Sequence, residues 1–308
     1  MVAGYELLEA RQEGGRPVAL RSYYQFDPSV PIAVLALVFY AITTFLHFFQ
    51  YFRYRAWILT VLLIAGLMQT LGYLARVFSA RDVHNRGLYI GQFTLIILAP
   101  VLTAAGDYVV LGKLLERVLP GEPRAKTLGL PARWITWIFV TGDIISFVMQ
   151  GIGAGVIAAS VNKVDPSGRQ RGTNIVVGGL VVQLIFFTFF TGAVVRFDVK
   201  TRADYPGAKW RVLVYALYVS CACILIRSIY RLVEFAEGWT GYLMKHEVYF
   251  WVLETLPMLI CLVLFNIWHP AKLIPVEKPV EEEVVMTEGR VDQPKREGAS
   301  NSNYQQLE

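Results

Sequence analysis

The stretch WRVLVYALYVSCACILIRSIYRLVEF, residues 210–235, decides the fold that we predict from this sequence. It is 26 residues long, and four of those residues are charged. Because about 20 mostly apolar residues in a helix cross the hydrocarbon core of a bilayer, we predict that this stretch spans a membrane. Six further runs have similar length and composition: 29–50, 56–78, 88–116, 134–160, 173–195 and 248–268.

The composition of the whole chain agrees with a membrane protein. Of its 308 residues, 55% are hydrophobic and 17% are charged, and the mean hydropathy is +0.45. Soluble domains have about 45–50% apolar and about 25% charged residues, so the composition excludes a large soluble enzyme and a disordered scaffold. Continuous apolar runs rather than alternating ten-residue strands predict an all-α protein with seven transmembrane helices, occupying residues 29–270.

The basic residues of the loops predict the orientation of the chain. The first, third and fifth loops hold eleven Lys and Arg residues, and the second, fourth and sixth hold six. Loops rich in Lys and Arg stay in the cytosol, so residues 1–28 are expected outside and the polar, charged tail 271–308 inside and disordered. We expect the basic residues to meet anionic lipid headgroups rather than nucleic acid. The loops 117–133 and 196–211 and the tail could engage a cytosolic partner.

Charged side chains recur inside the spans, where they are expected to face the interior of the bundle. Arg227, Arg231 and Glu234 stand at positions i, i+4 and i+7, which places them along one face of the sixth span. With Glu254 of the seventh span at a similar depth, Arg227 would form either a buried ion pair or one pole of a ligand pocket. The candidate substrate-binding residues of this outer half of the bundle are Gln69, Tyr73, Gln92, Gln150, Arg227, Tyr230, Arg231, Glu234 and Glu254.

A second polar level lies nearer the inner end. Asp107 in the third span and Asp143 in the fourth are each about 13 Å from the inner ends of their helices. Two carboxyl groups at one level could share a proton and act as an inner site. Separate packing roles are the alternative, because polar groups also hold membrane helices together.

Other residues have simpler interpretations. Gly151, Gly153 and Gly155 lie within a span and precede no Lys-Ser/Thr pair, so they predict close helix packing rather than a phosphate-binding loop. Arg76 at the end of the second span is expected to extend towards the interface. Pro257 is expected to kink the seventh span and free a backbone carbonyl.

Several known site types are missing from the sequence. It contains no Walker A motif, no Gly-x-Ser-x-Gly elbow and no Lys in the seventh span that could hold a retinal. The four histidines are dispersed without helical ligand spacing, so no metal or other cofactor is expected. A transporter, a flippase-like protein or a receptor remains, and an enzyme is not expected.

The spans carry six motifs in order: Gln69-x-x-Gly72-Tyr73-x-x-Arg76; Gln92 to Pro100 with Ala104-Ala105-x-x-Tyr108; Asp143-x-x-Ser146-x-x-x-Gln150-x-x-Gly153; Gly178-Gly179-Leu180-x-x-Gln183; Arg227-Ser228-Ile229-Tyr230-Arg231-x-x-Glu234; and His269-Pro270. Their order and spacing resemble the fungal lipid-translocating exporter family, also called RTA-like or aminocholesterol-resistance proteins. The resemblance covers residues 30–270. Gln69 stands where the family usually has Glu, and Glu254 where Asp is usual.

The resemblance implies a fungal multi-pass protein, usually of the plasma membrane, that exports sphingoid long-chain bases or related toxic amphiphiles; one branch of the family is linked to porphyrin transport. We therefore expect a lipid-translocating exporter whose outer polar pocket holds the head of an amphiphile. Glu234 and Glu254 would attract an ammonium group, and Arg227 and Arg231 would hold hydroxyls or a phosphate. The alternative is a seven-helix, GPCR-like lipid-sensing receptor in a stress response. A lipid-modifying enzyme would lack a recognisable nucleophile or metal set.

Overall fold

A computed structural model describes the residues that form the bundle. These are Tyr24 and residues 26–55, 57–118, 126–127, 130–163, 166–203, 205–238 and 241–274. Most of the segment predicted to be extracellular, and the tail after residue 274, lie outside the described residues.

The prediction of an all-α protein with seven membrane-spanning helices is confirmed. Six spans are single helices: α1 (Val30–Arg53), α2 (Thr60–Arg81), α3 (Arg86–Val118), α4 (Ala132–Lys163), α5 (Pro166–Arg202) and α6 (Arg211–Glu237). A 3₁₀ turn at Trp57–Leu59 precedes α2. A short antiparallel ladder between β1 (Lys126–Thr127) and β2 (Leu130–Pro131) lies before α4. The orientation remains a prediction from the loop charges.

The helices extend beyond the apolar runs that identified them. The fifth span was predicted at 173–195, but α5 covers Pro166–Arg202 and is about 55 Å long. Its extra turns carry polar residues. A helix can continue past the hydrocarbon core into water because its backbone groups remain hydrogen-bonded to one another. Proline suits the start of α5, where its missing N–H would have no partner inside the helix.

The seventh span, Glu247–Leu273, is irregular. It follows the short helix α7 (Tyr242–Lys245) and consists of α8 (Glu247–Tyr249), a π-helix (Phe250–Thr255), α9 (Leu256–Ile267) and α10 (Pro270–Leu273). The π-helix ends just before Pro257, which has no N–H and crowds the preceding turn. Tyr40 of α1 donates from Oη to the backbone oxygen of Thr255 at 2.8 Å, so the irregular turn is also held from α1.

Consecutive helices pack side by side, and α9 closes the bundle against α1 and α6. Between α4 and α5, a Cβ built on Gly153 would lie 2.7 Å from the backbone oxygen of Gly172, so close packing requires glycine there. Gly151 and Gly155 have no neighbouring atom within 4 Å of such a Cβ. The prediction that all three glycines serve close packing is therefore wrong for Gly151 and Gly155, which lie on the exposed face of α4.

Candidate functional site

A cavity of about 60 Å³ lies where the end of α2, the start of α3, the end of α6 and the π-helix meet. This volume holds about four to six water molecules, which is enough for a polar head but not for an acyl chain. Its buried polar wall consists of Arg76, Gln92, Tyr230, Arg231 and Glu234. The remaining lining residues are Tyr24, Phe26, Tyr89, Phe93, Ile96, Leu243, Met244, His246 and Phe250.

Behind the cavity, Glu254 of the π-helix binds two arginines of α6. Arg227 donates from Nε to Oε1 of Glu254 at 3.0 Å, and its Nη2 lies 2.9 Å from the same oxygen. Arg231 donates from Nε to Oε2 at 2.8 Å. Glu254 is 1% exposed, so this carboxylate is buried with both of its oxygens bonded to cations. Of the two alternatives open from the sequence, Arg227 and Glu254 form the buried ion pair.

Arg231 connects this ion pair to the cavity. Its Nη1 donates to Oε2 of Glu234 at 2.8 Å, and Oη of Tyr230 donates to Oε1 of Glu234 at 2.7 Å. The i, i+4, i+7 spacing along α6 thus places Arg227 against Glu254 and places Glu234 in the cavity wall. Charge-assisted hydrogen bonds of this length are strong and fix the orientation of the carboxylate.

Arg76 forms a second ion pair at the same end of the bundle. Its Nη2 donates to Oε1 of Glu247 at 2.9 Å, and Oε2 of Glu247 accepts from the backbone N–H of Ser29 at 3.0 Å. The Arg76 guanidinium carbon lies 4.1 Å from the ring centroid of Phe250, a cation–π distance. The expectation that Arg76 extends to the interface is therefore wrong: its side chain is 6% exposed because an acid and aromatic rings surround it.

Together the two ion pairs and the network around Glu254 contain three arginines and three glutamates: Arg76, Arg227, Arg231, Glu234, Glu247 and Glu254. Their formal charges sum to zero. Arg76, Arg231 and Glu234 of this set line the cavity, so its wall presents both signs of charge and can meet a head that carries a cation, an anion or both.

Tyr24, which precedes α1, closes one side of the cavity. Its hydroxyl accepts from Nε2 of Gln92 at 2.6 Å and donates to Oγ of Ser79 at 2.9 Å. Gln92 is thus a lining residue whose amide oxygen, Oε1, is buried and has no hydrogen-bond partner among the described residues.

Besides Arg227 and Glu254, three of the candidate residues lie outside the cavity lining. Oη of Tyr73 donates to Oγ1 of Thr255 at 2.6 Å, which supports the π-helix. Nε2 of Gln150 donates to Oε1 of Gln183 at 3.2 Å, so Gln150 joins α4 to α5 instead of facing Arg227. Gln69 is buried on α2, and its Oε1 has no partner among the described residues.

The two aspartates of the inner level have separate partners. Oδ2 of Asp107 accepts from Oγ of Ser220 at 2.7 Å, and Oδ2 of Asp143 accepts from Oη of Tyr108 at 2.7 Å. No hydrogen bond joins the two carboxyl groups within the described part of the chain. Each therefore forms its own contact between helices. Among the same residues, no three His, Cys, Asp or Glu side chains could hold a metal ion together.

Several lining residues that lie outside the apolar runs were not predicted from the sequence. Tyr24 and Phe26 come before the first apolar run, and Leu243, Met244 and His246 lie between the last two. Apolar runs identify spans but give no reason to expect that a connection folds over the end of the bundle. The available signal was a pair of aromatic residues, Tyr24 and Phe26, which lie five and three positions before the first run.

Comparison with known proteins shows to which family the chain belongs. A sequence model described as "RTA1 like protein" matches residues 62–277, which is more than half of the chain. The chain belongs to the RTA1-like protein family. Three relatives are from Saccharomyces cerevisiae. Protein RTM1 is 35% identical over 65% of this chain and 63% of its own length, and Protoporphyrin uptake protein 1 is 33% identical over 65% of each chain.

The third relative, Sphingoid long-chain base transporter RSB1, is 27% identical over 86% of this chain and 77% of its own length. The chain thus spans a little less than two thirds of RTM1 and of Protoporphyrin uptake protein 1, and about three quarters of RSB1. No solved structure matches the chain. As an RTA1-like protein with seven apolar helices, it is a multi-pass membrane protein.

Proposed function

We propose that this RTA1-like protein transports amphiphilic lipids across the membrane, and that the cavity next to Glu234 receives the polar head. The observation that carries the proposal is a small cavity with Glu234 and Arg231 in its wall, inside a bundle whose outer surface is apolar. Such a bundle can leave an alkyl chain in the lipid while the head leaves water. The relative named as a sphingoid long-chain base transporter supports this substrate class.

The charges of the cavity favour a head with a hydrogen-bond donor and an acceptor. Glu234 would attract an ammonium group, and Arg231 and Arg76 would attract a phosphate or a hydroxyl oxygen. Glu254 and Arg227 do not line the cavity, so in this proposal they hold Arg231 in place and do not touch the head. We place the protein in the plasma membrane, the location implied by the family resemblance, and assign it no chemical step.

Leaflet-to-leaflet movement in proteoliposomes tests the proposal. The probe is a labelled phosphorylated long-chain base, which carries both charges and therefore crosses a bare bilayer slowly. Glu234→Gln should slow its movement by roughly tenfold or more, because a hydrogen bond to a charged group is lost. Glu237→Gln is the matched control, since Glu237 is exposed and lies three residues further along α6. Its Oε2 accepts from the backbone N–H of Leu243 at 3.2 Å, a bond that the amide oxygen of glutamine can also accept.

The number of lipid molecules moved per protein separates a transporter from a receptor. Movement of many molecules, slowed by Glu234→Gln and not by Glu237→Gln, is the expected result. Saturable one-to-one binding without movement would contradict transport and would support the lipid-sensing receptor. Equal slowing by both variants would contradict the assignment of the head to this cavity.

A further inference from the structure

The four buried acids in the described part of the chain fall into two pairs. Glu234 and Glu254 are bonded to arginines. Asp107 and Asp143 form no ion pair with any described residue, although they are 0% and 2% exposed. Within the described residues, the buried glutamates are therefore paired with cations and the buried aspartates are not.

Hydroxyl groups are the hydrogen-bond partners of these aspartates. Asp107 accepts from Ser220 and Asp143 accepts from Tyr108, each at 2.7 Å. The second oxygen of each carboxyl group, Oδ1, is buried and has no partner among the described residues. An uncompensated negative charge in such a place is very unfavourable, whereas a neutral carboxylic acid is tolerated.

Among the described residues, the groups around the two aspartates supply no compensating charge. The ionisable groups near Asp107 are the thiols of Cys221, Cys223 and Cys261 and the phenol of Tyr108. The same phenol is the ionisable group that contacts Asp143. Thiols and phenols are neutral near neutral pH in an apolar interior, so a proton is the ligand that balances each carboxylate.

We propose that Asp107 and Asp143 are two proton-binding sites in the interior of the bundle, and that transport involves release and uptake of their protons. The coupling rests on the proposed transport function, whereas the proton sites do not. Release breaks the O–H bond of the carboxylic acid, leaves the electron pair on the carboxylate and transfers the proton to water.

The contacts of the two sites explain how a proton could act on the helices. Asp107 joins α3 to α6 through Ser220, and Asp143 joins α4 to α3 through Tyr108. Loss of either proton would place a charge at a buried helix interface, and water would have to reach that interface. Ionisation therefore favours an arrangement in which these helices separate, and protonation favours the closed bundle.

Infrared difference spectra of the full-length protein in lipid bilayers, recorded through a pH titration, test the proton sites directly. At neutral pH the wild type should show the carbonyl stretch of protonated carboxyl groups. Asp107→Asn and Asp143→Asn should each remove one component of that band. Asp198→Asn is the matched control and should leave the band unchanged, because Asp198 already pairs with Arg211 at 2.8 Å.

Two milder variants keep the test decisive if an asparagine variant does not fold. Tyr108→Phe and Ser220→Ala each remove the hydroxyl that binds one aspartate and leave most of the packing in place. Each should shift the frequency of one component without removing it. Absence of the band at neutral pH, or a band that none of the four substitutions at these two sites alters, would overturn the proposal.

Proteoliposomes with an imposed proton gradient test the coupling. The labelled phosphorylated long-chain base should move severalfold faster with the favourable gradient than without it, and Asp143→Asn should reduce this difference. Equal rates with and without the gradient would overturn the coupling while leaving the transport function intact. If no lipid moves at all, the transport function and the coupling fail, and the infrared result still decides the proton sites.

Discussion

Arg231 lines the cavity, and its Nε lies 2.8 Å from Oε2 of Glu254, a carboxylate behind the cavity wall. Arg231, which would contact a ligand, is thus held in place by Glu254, which would not. Because Glu254 comes from the π-helix of the seventh span and Arg231 from α6, the position of this cation depends on how the two spans pack. Substitution at Glu254 should act mainly through stability.

Glu254→Gln should strongly destabilise the bundle. It removes the carboxylate that binds two arginines and leaves Arg227 without an acidic partner among the described residues. Removing one partner of a buried ion pair typically costs about 3–5 kcal/mol. Thermal unfolding of the purified protein in detergent would measure the loss as a lower midpoint.

Glu116→Gln provides the comparison for that measurement. Glu116 pairs with Lys113 at 2.6 Å, but the two side chains are 44% and 36% exposed. Exposed pairs contribute about 0–1 kcal/mol, so the unfolding midpoint should hardly change. Equal midpoints for Glu254→Gln and Glu116→Gln would contradict the structural role assigned to Glu254.

The glycines of α4 should respond differently to alanine. A Cβ at Gly153 would lie 2.7 Å from a backbone oxygen and 2.8 Å from the backbone nitrogen of Val176, so α4 and α5 would have to move apart. We expect Gly153→Ala to lower stability by about 1–3 kcal/mol. Gly151→Ala meets open space and should be neutral or stabilising by up to about 1 kcal/mol, since alanine favours the helix. Unfolding curves for both variants would test this, and a larger loss for Gly151→Ala would refute it.

The site shows what sequence spacing can and cannot predict. The i, i+4, i+7 stripe predicted that Arg227, Arg231 and Glu234 share a face of α6, and they do. The depth of a residue along its helix does not show in which direction its side chain points around the helix axis. Gln150 was therefore placed near Arg227, whereas it faces α5 and bonds to Gln183.

The sequence pattern could not predict the irregular parts of the chain for a related reason. Pro257 indicated a distortion of the seventh span, but the extent of the π-helix depends on contacts from other helices to Thr255. Arg76 was expected near the interface because it ends a span. Its burial depends on Glu247 and Phe250, which are more than 170 positions away in the sequence.

Tyr24→Phe should open the cavity more often. The Tyr24 hydroxyl bonds to Gln92 and Ser79, so its loss removes two hydrogen bonds that hold the segment before α1. A cysteine placed at Ile96, which lines the cavity and is buried, would report opening through its reaction with a water-soluble thiol reagent. We expect a severalfold faster reaction in the Tyr24→Phe background. Tyr205→Phe, at an exposed residue far along the chain, should leave the rate unchanged.

The orientation predicted from the loop charges can be tested with two exposed lysines. Lys209 lies in the basic connection between α5 and α6, and Lys245 lies in α7 before the seventh span. Because loops rich in Lys and Arg remain in the cytosol, Lys245→Cys should react with a membrane-impermeant thiol reagent on intact cells, and Lys209→Cys only after permeabilisation. The native cysteines Cys221, Cys223 and Cys261 are buried and should contribute little background. The reverse labelling pattern would invert the topology and would place the cavity of Glu234 and Arg231 at the cytosolic face, so that the head of a lipid would enter it from inside the cell.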